Sequence, residues 1–445
     1  QNPPPLPHFL TRNGVDATIA PLSSTDELDW SRTAMSSESQ PPLFLQVYLP
    51  TFILAFCHGM LIPVLPIYAR TFEASYTLIG IILASDGIGT LLGDLPAGIL
   101  IRKLGRKRVM MIGILFEVLS VLALFWAESI FQVVATRLVT GFGNALWRIS
   151  RHAYLTDITL PHRRGRAIAV FGGVNRIGSF AGPAVGGALA VAFNLRTPFF
   201  VYACLAALAM IASAIFVEGV DGDVTTAPPS KTQSFRLLDI VRAQFRQLTT
   251  AGTGQLLAQM TRSARPIIIP LYGAEVIGLD VQSLGWILSI SSFVDMSMFY
   301  PAGQIMDRYG RKYAIVPSFL IQVAGTAAIA QTDSFLGLLA ATSTIGLGNG
   351  LGSGTMMTLG ADLAPRASMA EFLGIWRLIG DVGHVGCPLV VGKLADILNL
   401  GAAAIAMSVT GLLAAGVFAF LVPETLKERS QTADKIQRTS HDITE

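Results

Sequence analysis

Charge is scarce in this chain. Only 14% of its 445 residues are Asp, Glu, Lys or Arg, against 52% hydrophobic. A soluble domain carries about 25% charged residues, so a water-soluble globular protein is excluded. The wealth of apolar residues equally excludes disorder for the bulk of the chain. Cysteine is scarce too. Cys57, Cys204 and Cys387 are odd in number, sit in apolar segments and show no CxxC spacing. They support neither a disulfide framework nor a zinc site, and no metal or other cofactor is expected. The net charge of +3 is too small to argue for nucleic acid. HExxH, GxSxG and Cys/His clusters are all missing, so enzyme chemistry is not expected. What the chain has instead is glycine and proline, 43 and 23 of them without a collagen period. Both are tolerated in membrane helices, where neighbouring helices re-satisfy freed backbone groups.

Residues 1–43 stand apart. They are Pro- and Ser-rich with scattered charge, and lack the basic and apolar regions of a signal peptide. They read as a disordered lead. Met35 offers a native start, which would make 1–34 an added tail. Beyond the lead, apolar runs long enough to cross a bilayer predict twelve spans: 44–70, 77–101, 108–127, 130–157, 166–192, 197–217, 248–273, 282–306, 312–331, 334–362, 371–397 and 401–422. Sixteen Lys and Arg fall in the connections after even-numbered spans, and at most three (Arg70, Arg196, Lys393) after odd ones. The positive-inside bias places both termini in the cytoplasm, in a cell (plasma or inner) membrane. The expected organisation is a six-span half (44–217), a linker with one surface helix (218–247), a second half (248–422) and a tail (423–445).

The two halves are copies. Pro96-Ala97-Gly98 recurs as Pro301-Ala302-Gly303, and Gly105-Arg106-Lys107 as Gly310-Arg311-Lys312. Gly141 to Asn144 recurs as Gly346 to Asn349, and Asp157, Gly178, Pro183 and Gly187 match Asp362, Gly383, Pro388 and Gly392. Every pair is offset by 205. A parallel repeat of this type belongs to transporters whose site lies between the halves near mid-membrane.

These motifs resemble the major facilitator superfamily, and within it the twelve-span drug:proton antiporters. The resemblance covers about 44–425. The loop motif G-x-x-x-D-R-x-G-R-K reads Gly303, Asp307, Arg308, Gly310, Arg311 and Lys312; its first copy reads Gly98, Arg102, Lys103, Gly105, Arg106 and Lys107, with Arg102 where the family has Asp. The fourth-span motif reads Arg137, Gly141, Gly143, Ala145. The fifth-span antiporter motif reads Gly178, Gly182, Pro183, Gly186 and Gly187, with Ala169 at its first glycine. Pro423-Glu424-Thr425 also looks like the family. The resemblance implies an all-α fold of twelve transmembrane helices in two pseudo-symmetric six-helix bundles. It implies that the span 5 bend restricts proton leak. The same glycines, spaced i+4, also simply let another helix approach closely. The alternating glycines Gly346 to Gly354 read as a pliable segment, either a hinge or a packing face.

Ionisable residues inside a membrane are costly and are functional candidates by default. Arg137 lies about six residues, roughly 9 Å, inside span 4. The resemblance implies that it tunes proton coupling; the bland alternative is an Arg bonded to carbonyls of span 1. By analogy with the fold, span 5 packs on span 8 and span 2 on span 11, so Arg176–Asp295 and Asp94–Arg377 are expected to bridge the halves. Each could instead find a partner within its own half. At the cytoplasmic face, Asp307 would meet Arg166, and the odd Arg102 would meet Glu371, a latch with its signs swapped. Asp86 is the preferred protonation candidate. Glu117 ranks lower, because the family places span 3 at the lipid-facing periphery. His384, Arg262 and Arg265 are candidates for the transport path. Arg148, Arg151 and His152 would either add to a positive cavity or snorkel to the interface. The expected function is a secondary transporter of small molecules, a monomer in the lipid bilayer, exporting amphipathic compounds against protons. An organic-anion or metabolite carrier is the alternative.

Overall fold

The computed structural model describes residues 43–159, 164–217 and 237–426. The expected lead (but for Leu43), most of the linker and the tail beyond 426 lie outside them. Twelve membrane-crossing elements follow one another: α1 (Phe44–Arg70), α2 (Tyr76–Leu104), α3 (Arg106–Phe125), α4 (Ile130–Ile158), α5 (Arg164–Ala192) and α6 (Thr197–Phe216). After a short helix, Leu237–Ala243, come α7 (Phe245–Ser263, then Arg265–Glu275), α8 (Val281–Ser297, then Phe299–Arg308), α9 (Arg311–Ile329), α10 (Phe335–Leu363), α11 (Met369–Ile397) and α12 (Leu400–Leu421). Eight are apolar enough to pass as spans on composition alone. The exceptions have physical causes. α4 and α5 are 29 residues each, about 43 Å and ample for a bilayer, but carry interior arginines. α7 and α8 are split at Ala264 and Met298, each just before a proline, Pro266 or Pro301, that removes a backbone donor.

Helix starts differ between the two ends of the bundle. At the end bearing the odd-numbered connections, side chains cap the first turn. Ser75 accepts from Leu78 N, Ser129 forms a capping box with Gln132, and Asp280, Ser334 and Asn399 each accept from the N–H three residues on. At the other end the chain reverses at Gly105 (φ +79°) and Gly310 (φ +118°), a region open to glycine but costly for other residues.

The packing repeats with the sequence. In the first half α2 lies on α4, α1 on α5, and α3 on α4 and α6; in the second α8 lies on α10, α7 on α11, and α9 on α10 and α12. The halves meet mainly where α5 packs on α8 and α2 on α11. These crossings are tight only at the odd-connection end. A Cβ on Gly80 would lie 2.3 Å from Pro388 O, one on Gly187 2.5 Å from Val281 O, and one on Gly392 2.3 Å from Tyr76 O. At the opposite end of the same four helices, Gly172, Gly173, Gly303 and Gly374 face open space. The bundle is closed at one end and open at the other. Polar contacts seal the closed end across the halves. Arg70 pairs with Glu275 at 2.6 Å, the Tyr76 hydroxyl donates to Glu275 at 2.5 Å, and Asp396 accepts from Tyr76 N and Thr77 N at 2.8 and 2.9 Å.

Candidate functional site

The second half builds its polar centre on Asp295 of α8. Its Oδ2 accepts from Asn349 Nδ2 of α10 at 2.8 Å and lies 3.7 Å from Arg265 of α7. Its Oδ1 lies 3.6 Å from Arg176 of α5, across the halves. Arg176 therefore shares Asp295 with a partner from that residue's own half. Arg176 also donates to Ser353 Oγ and stands 4.9 Å over the Phe299 ring. α10 breaks at this level, with Gly354 in the left-handed region. At the break the Gly352 carbonyl accepts from the N–H and hydroxyl of Thr355 at 3.3 and 2.6 Å and from Arg262 at 3.0 Å. Ser263 and His384 Nδ1 are 2.5 Å apart, joining α7 to α11.

In the first half, Arg137 pairs with Asp86 at 2.8 Å and is only 7% exposed. It therefore has a carboxylate partner on α2, rather than only span 1 carbonyls. Asp94 sits 3.5 Å from Arg377 across the halves, but both its oxygens also accept from Arg148 at 3.2 Å. Bridge and own-half pair thus coexist. Arg151 does not snorkel: it is buried between the Trp147 and Phe171 rings and donates to Thr51 at 3.4 Å.

Glu117 departs furthest from expectation. α3 is peripheral as a helix, but Glu117 is on its inner face with Gly113 and Ser120, and is fully buried. Its Oε2 accepts from the Tyr202 hydroxyl of α6 at 3.0 Å.

Two adjoining chambers open among these groups. One, about 380 Å³, is lined by Arg176, Gln259, Arg262, Ser263, Asn349 and His384 among others. The next, about 520 Å³, shares Gln259 and Arg262 and adds Met356, Leu373, Trp376 and Arg377, whose guanidinium lies 3.6 Å from Asp381, the one carboxylate among its described lining residues. Guanidiniums facing an apolar wall suit a molecule with an anionic and a greasy part.

A family model described as Major Facilitator Superfamily matches residues 47–383 and 251–443. The chain belongs to the Major Facilitator Superfamily. It is a membrane-spanning transporter of small molecules. Among similar superfamily members, an uncharacterised MFS-type transporter of Methanocaldococcus jannaschii is 22% identical over 357 residues, 80% of this chain and 91% of that one. Multidrug resistance protein 2 of Bacillus subtilis is 24% identical over 284 residues, 63% and 70% of the two chains. The crystal structure of a nucleoside transporter, NupG, shares the superfamily fold with a TM-score of 0.71 at 16% identity, covering 86% of this chain and 100% of that one.

The superfamily's loop motifs act first within each half. Arg106 pairs with Asp157, and Arg311, 205 residues on, with Asp362 at 3.0 Å. Glu424 lies over Gly310, where a Cβ would strike its carboxylate at 2.6 Å, and accepts from Arg311 N and Lys312 N at 2.9 Å. Burial pushes the Glu424 carboxyl up, but backbone N–H groups of Leu426, Lys312 and Arg311 outweigh it and hold the group below the usual value. Thr425 donates to Asp362 at 2.9 Å.

The expected latch is not formed in this state. Asp307 is exposed and lies 3.5 Å from Arg311, not against Arg166. Among the described residues no ion pair joins Arg102 to Glu371. The cause is the parting of the halves at this end. Lys107 and Arg308 flank the same loops, Arg308 lying over the Tyr309 ring. The antiporter glycines Gly178, Gly182 and Gly186 all face α1, at Phe52, Phe56 and Met60, whereas Gly187 and the Pro183 carbonyl face α8.

Sequence reasoning missed His58, Tyr202, Asn349, Glu275 and Asp396. His58 was visible as an ionisable residue in an apolar span. Glu275 was visible too, since it is offset by 205 from Arg70, with which it pairs.

Proposed function

We propose that this protein exports small amphipathic compounds by alternating access, with protons as coupling ion and a preference for organic anions. One observation carries the preference: the 380 Å³ chamber is lined by Arg176 and Arg262, and by no carboxylate among its described lining residues. Efflux is supported by the similarity to proteins named for multidrug resistance and by the glycine motif of α5. The bias of Lys and Arg puts the open end and both termini in the cytoplasm of a plasma-membrane protein, so the state described loads from inside. In this reading Arg176–Asp295 and Asp94–Arg377 bias the access states, Arg137 and Asp86 fix the first half's polar core, and Arg265 and His384 border the substrate path. The latch pairs Asp307–Arg166 and Arg102–Glu371 belong to the opposite state, in which the open end shuts.

The test is flux in proteoliposomes, with carboxyfluorescein as anion and ethidium as cation, with and without a pH gradient. Carboxyfluorescein should be preferred, and Arg262→Gln should cut its flux about tenfold, the worth of one charge-assisted hydrogen bond. Preference for ethidium, unchanged by Arg262→Gln, would refute the anionic reading.

A further inference from the structure

We propose that Glu117 is the proton-carrying carboxyl of this transporter, loaded and unloaded through Tyr202 and His58; the assignment rests on the proton-coupled reading above. Glu117 is completely shielded from solvent. The other carboxylates at this depth, Asp86 and Asp295, lie within 4 Å of an arginine. No cation among the described residues comes within that distance of Glu117. Its Oε1 accepts no hydrogen bond. A bare carboxylate in such surroundings is strongly disfavoured, and a proton relieves the cost. Asp86, the sequence-based candidate, is instead paired with Arg137 at 2.8 Å.

A route to the proton is present. The Tyr202 hydroxyl bonds Glu117 Oε2 at 3.0 Å and lies 3.4 Å from the His58 ring nitrogens. His58 Nδ1 donates to the Leu54 carbonyl at 2.8 Å, which leaves Nε2 as the acceptor, and Asn144 Nδ2 donates to it at 3.3 Å. Tyr202 is fully buried, while His58 is half-buried. A proton arriving on His58 Nε2 passes to Tyr202 Oη as the Tyr202 proton passes to Glu117 Oε2. Imidazole and phenol return to neutral, and the carboxylate becomes a carboxylic acid. The reverse hop unloads it. The surrounding groups do not compete. From α1 come His58 and Cys57, from α2 Asp86, from α4 Arg137 and Arg151, and from α6 Tyr202. Arg137 is committed to Asp86, and Arg151 to Thr51 and two rings.

The repeat supplies a comparison within the molecule. Adding 205 to Glu117 gives Gln322, likewise fully buried, and adding it to His58 gives Ser263. The second half therefore buries the neutral isostere at this place, and the positions matching His58 and Tyr202 hold Ser263 and Met407, neither of which titrates. The fold accepts the neutral form, and only the first half can exchange a proton there.

The experiment uses the full chain in lipid. Infrared difference spectra after a pH jump should show the carbonyl stretch of a protonated carboxylic acid. Glu117→Gln should abolish it, Asp86→Asn should leave it, and Tyr202→Phe should slow its appearance by about a hundredfold, the scale of a lost proton relay. In parallel, carboxyfluorescein efflux driven by a pH gradient should be lost in E117Q while exchange of dye for dye persists, which also shows that the variant is folded. A wild type indifferent to the gradient overturns the coupled reading and the proton-carrying role with it. A wild type that responds, with E117Q responding equally or retaining the infrared band, overturns the Glu117 assignment alone.

Discussion

Asp396→Ala tests what holds the bundle closed at one end. Asp396 of α11 accepts from Tyr76 N and Thr77 N, the first two N–H groups of α2 in the other half. It supplements Ser75, which caps Leu78 N. Losing a capping side chain costs about 0.5–2 kcal/mol. Asp396 is exposed, and solvent screening places the loss near 1 kcal/mol, a factor of about five in the ratio of closed to open molecules. In the proposed alternating-access cycle the contact is absent from the opposite state, so its whole loss would shift the populations. Glu275→Gln weakens a pair whose Arg70 side chain is 38% exposed, worth about 0.5 kcal/mol. Both carboxylates touch Tyr76, so the two changes will not add strictly; together they should reach about tenfold. The assay is electron–electron distance measurement between spin labels at Glu73→Cys and Leu398→Cys, in the two facing loops, after replacement of the exposed Cys204. Asp396→Ala should enlarge the long-distance population about fivefold. An unchanged distribution in the double variant would refute the reasoning.

Two further outcomes follow from pairs within each half. Asp86→Asn should lower the thermal stability of the detergent-solubilised protein by about 3 kcal/mol, the low end for breaking a buried pair, because Asp86 retains 24% side-chain exposure; adding Arg137→Gln should recover part of it, and equal single and double variants would sink the idea. Glu424 titrates below its ordinary value of 4.5 once folded, so its contribution is present above about pH 4.5 and is lost as the pH falls through the lowered value. Glu424→Gln should therefore show a flatter melting temperature than wild type between about pH 6 and pH 3.

The offset of 205 made the fold legible, because one repeat period fixes how helices of each half correspond and which pairs can meet. Arg176, Asp295, Asp94 and Arg377 could be placed by counting turns from helix ends. Their sharing of partners could not: Arg148 and Arg265 reach Asp94 and Asp295 only through side-chain length and rotamer. Glu117 was expected at the lipid face, and is buried instead, because a rule about where a helix sits was applied to a residue. Even a peripheral helix has an inner face. The Arg102–Glu371 and Asp307–Arg166 pairings presumed one access state, and sequence carries no mark of which state is occupied.

The glycine crossings give the closed end a further meaning. At Gly80 against Pro388 and Gly285 against Pro183, main chain meets main chain with no side chain between. Such crossings act as a fulcrum set near one end of the lever. From Gly80 to Leu104, α2 is an arm of about 36 Å, and a swing of about 15° moves its tip by about 9 Å. A single methyl group added at Gly80 would push on the fulcrum and alter the aperture at the far mouth. The largest molecule that can enter is therefore set at the end of the protein it does not enter from.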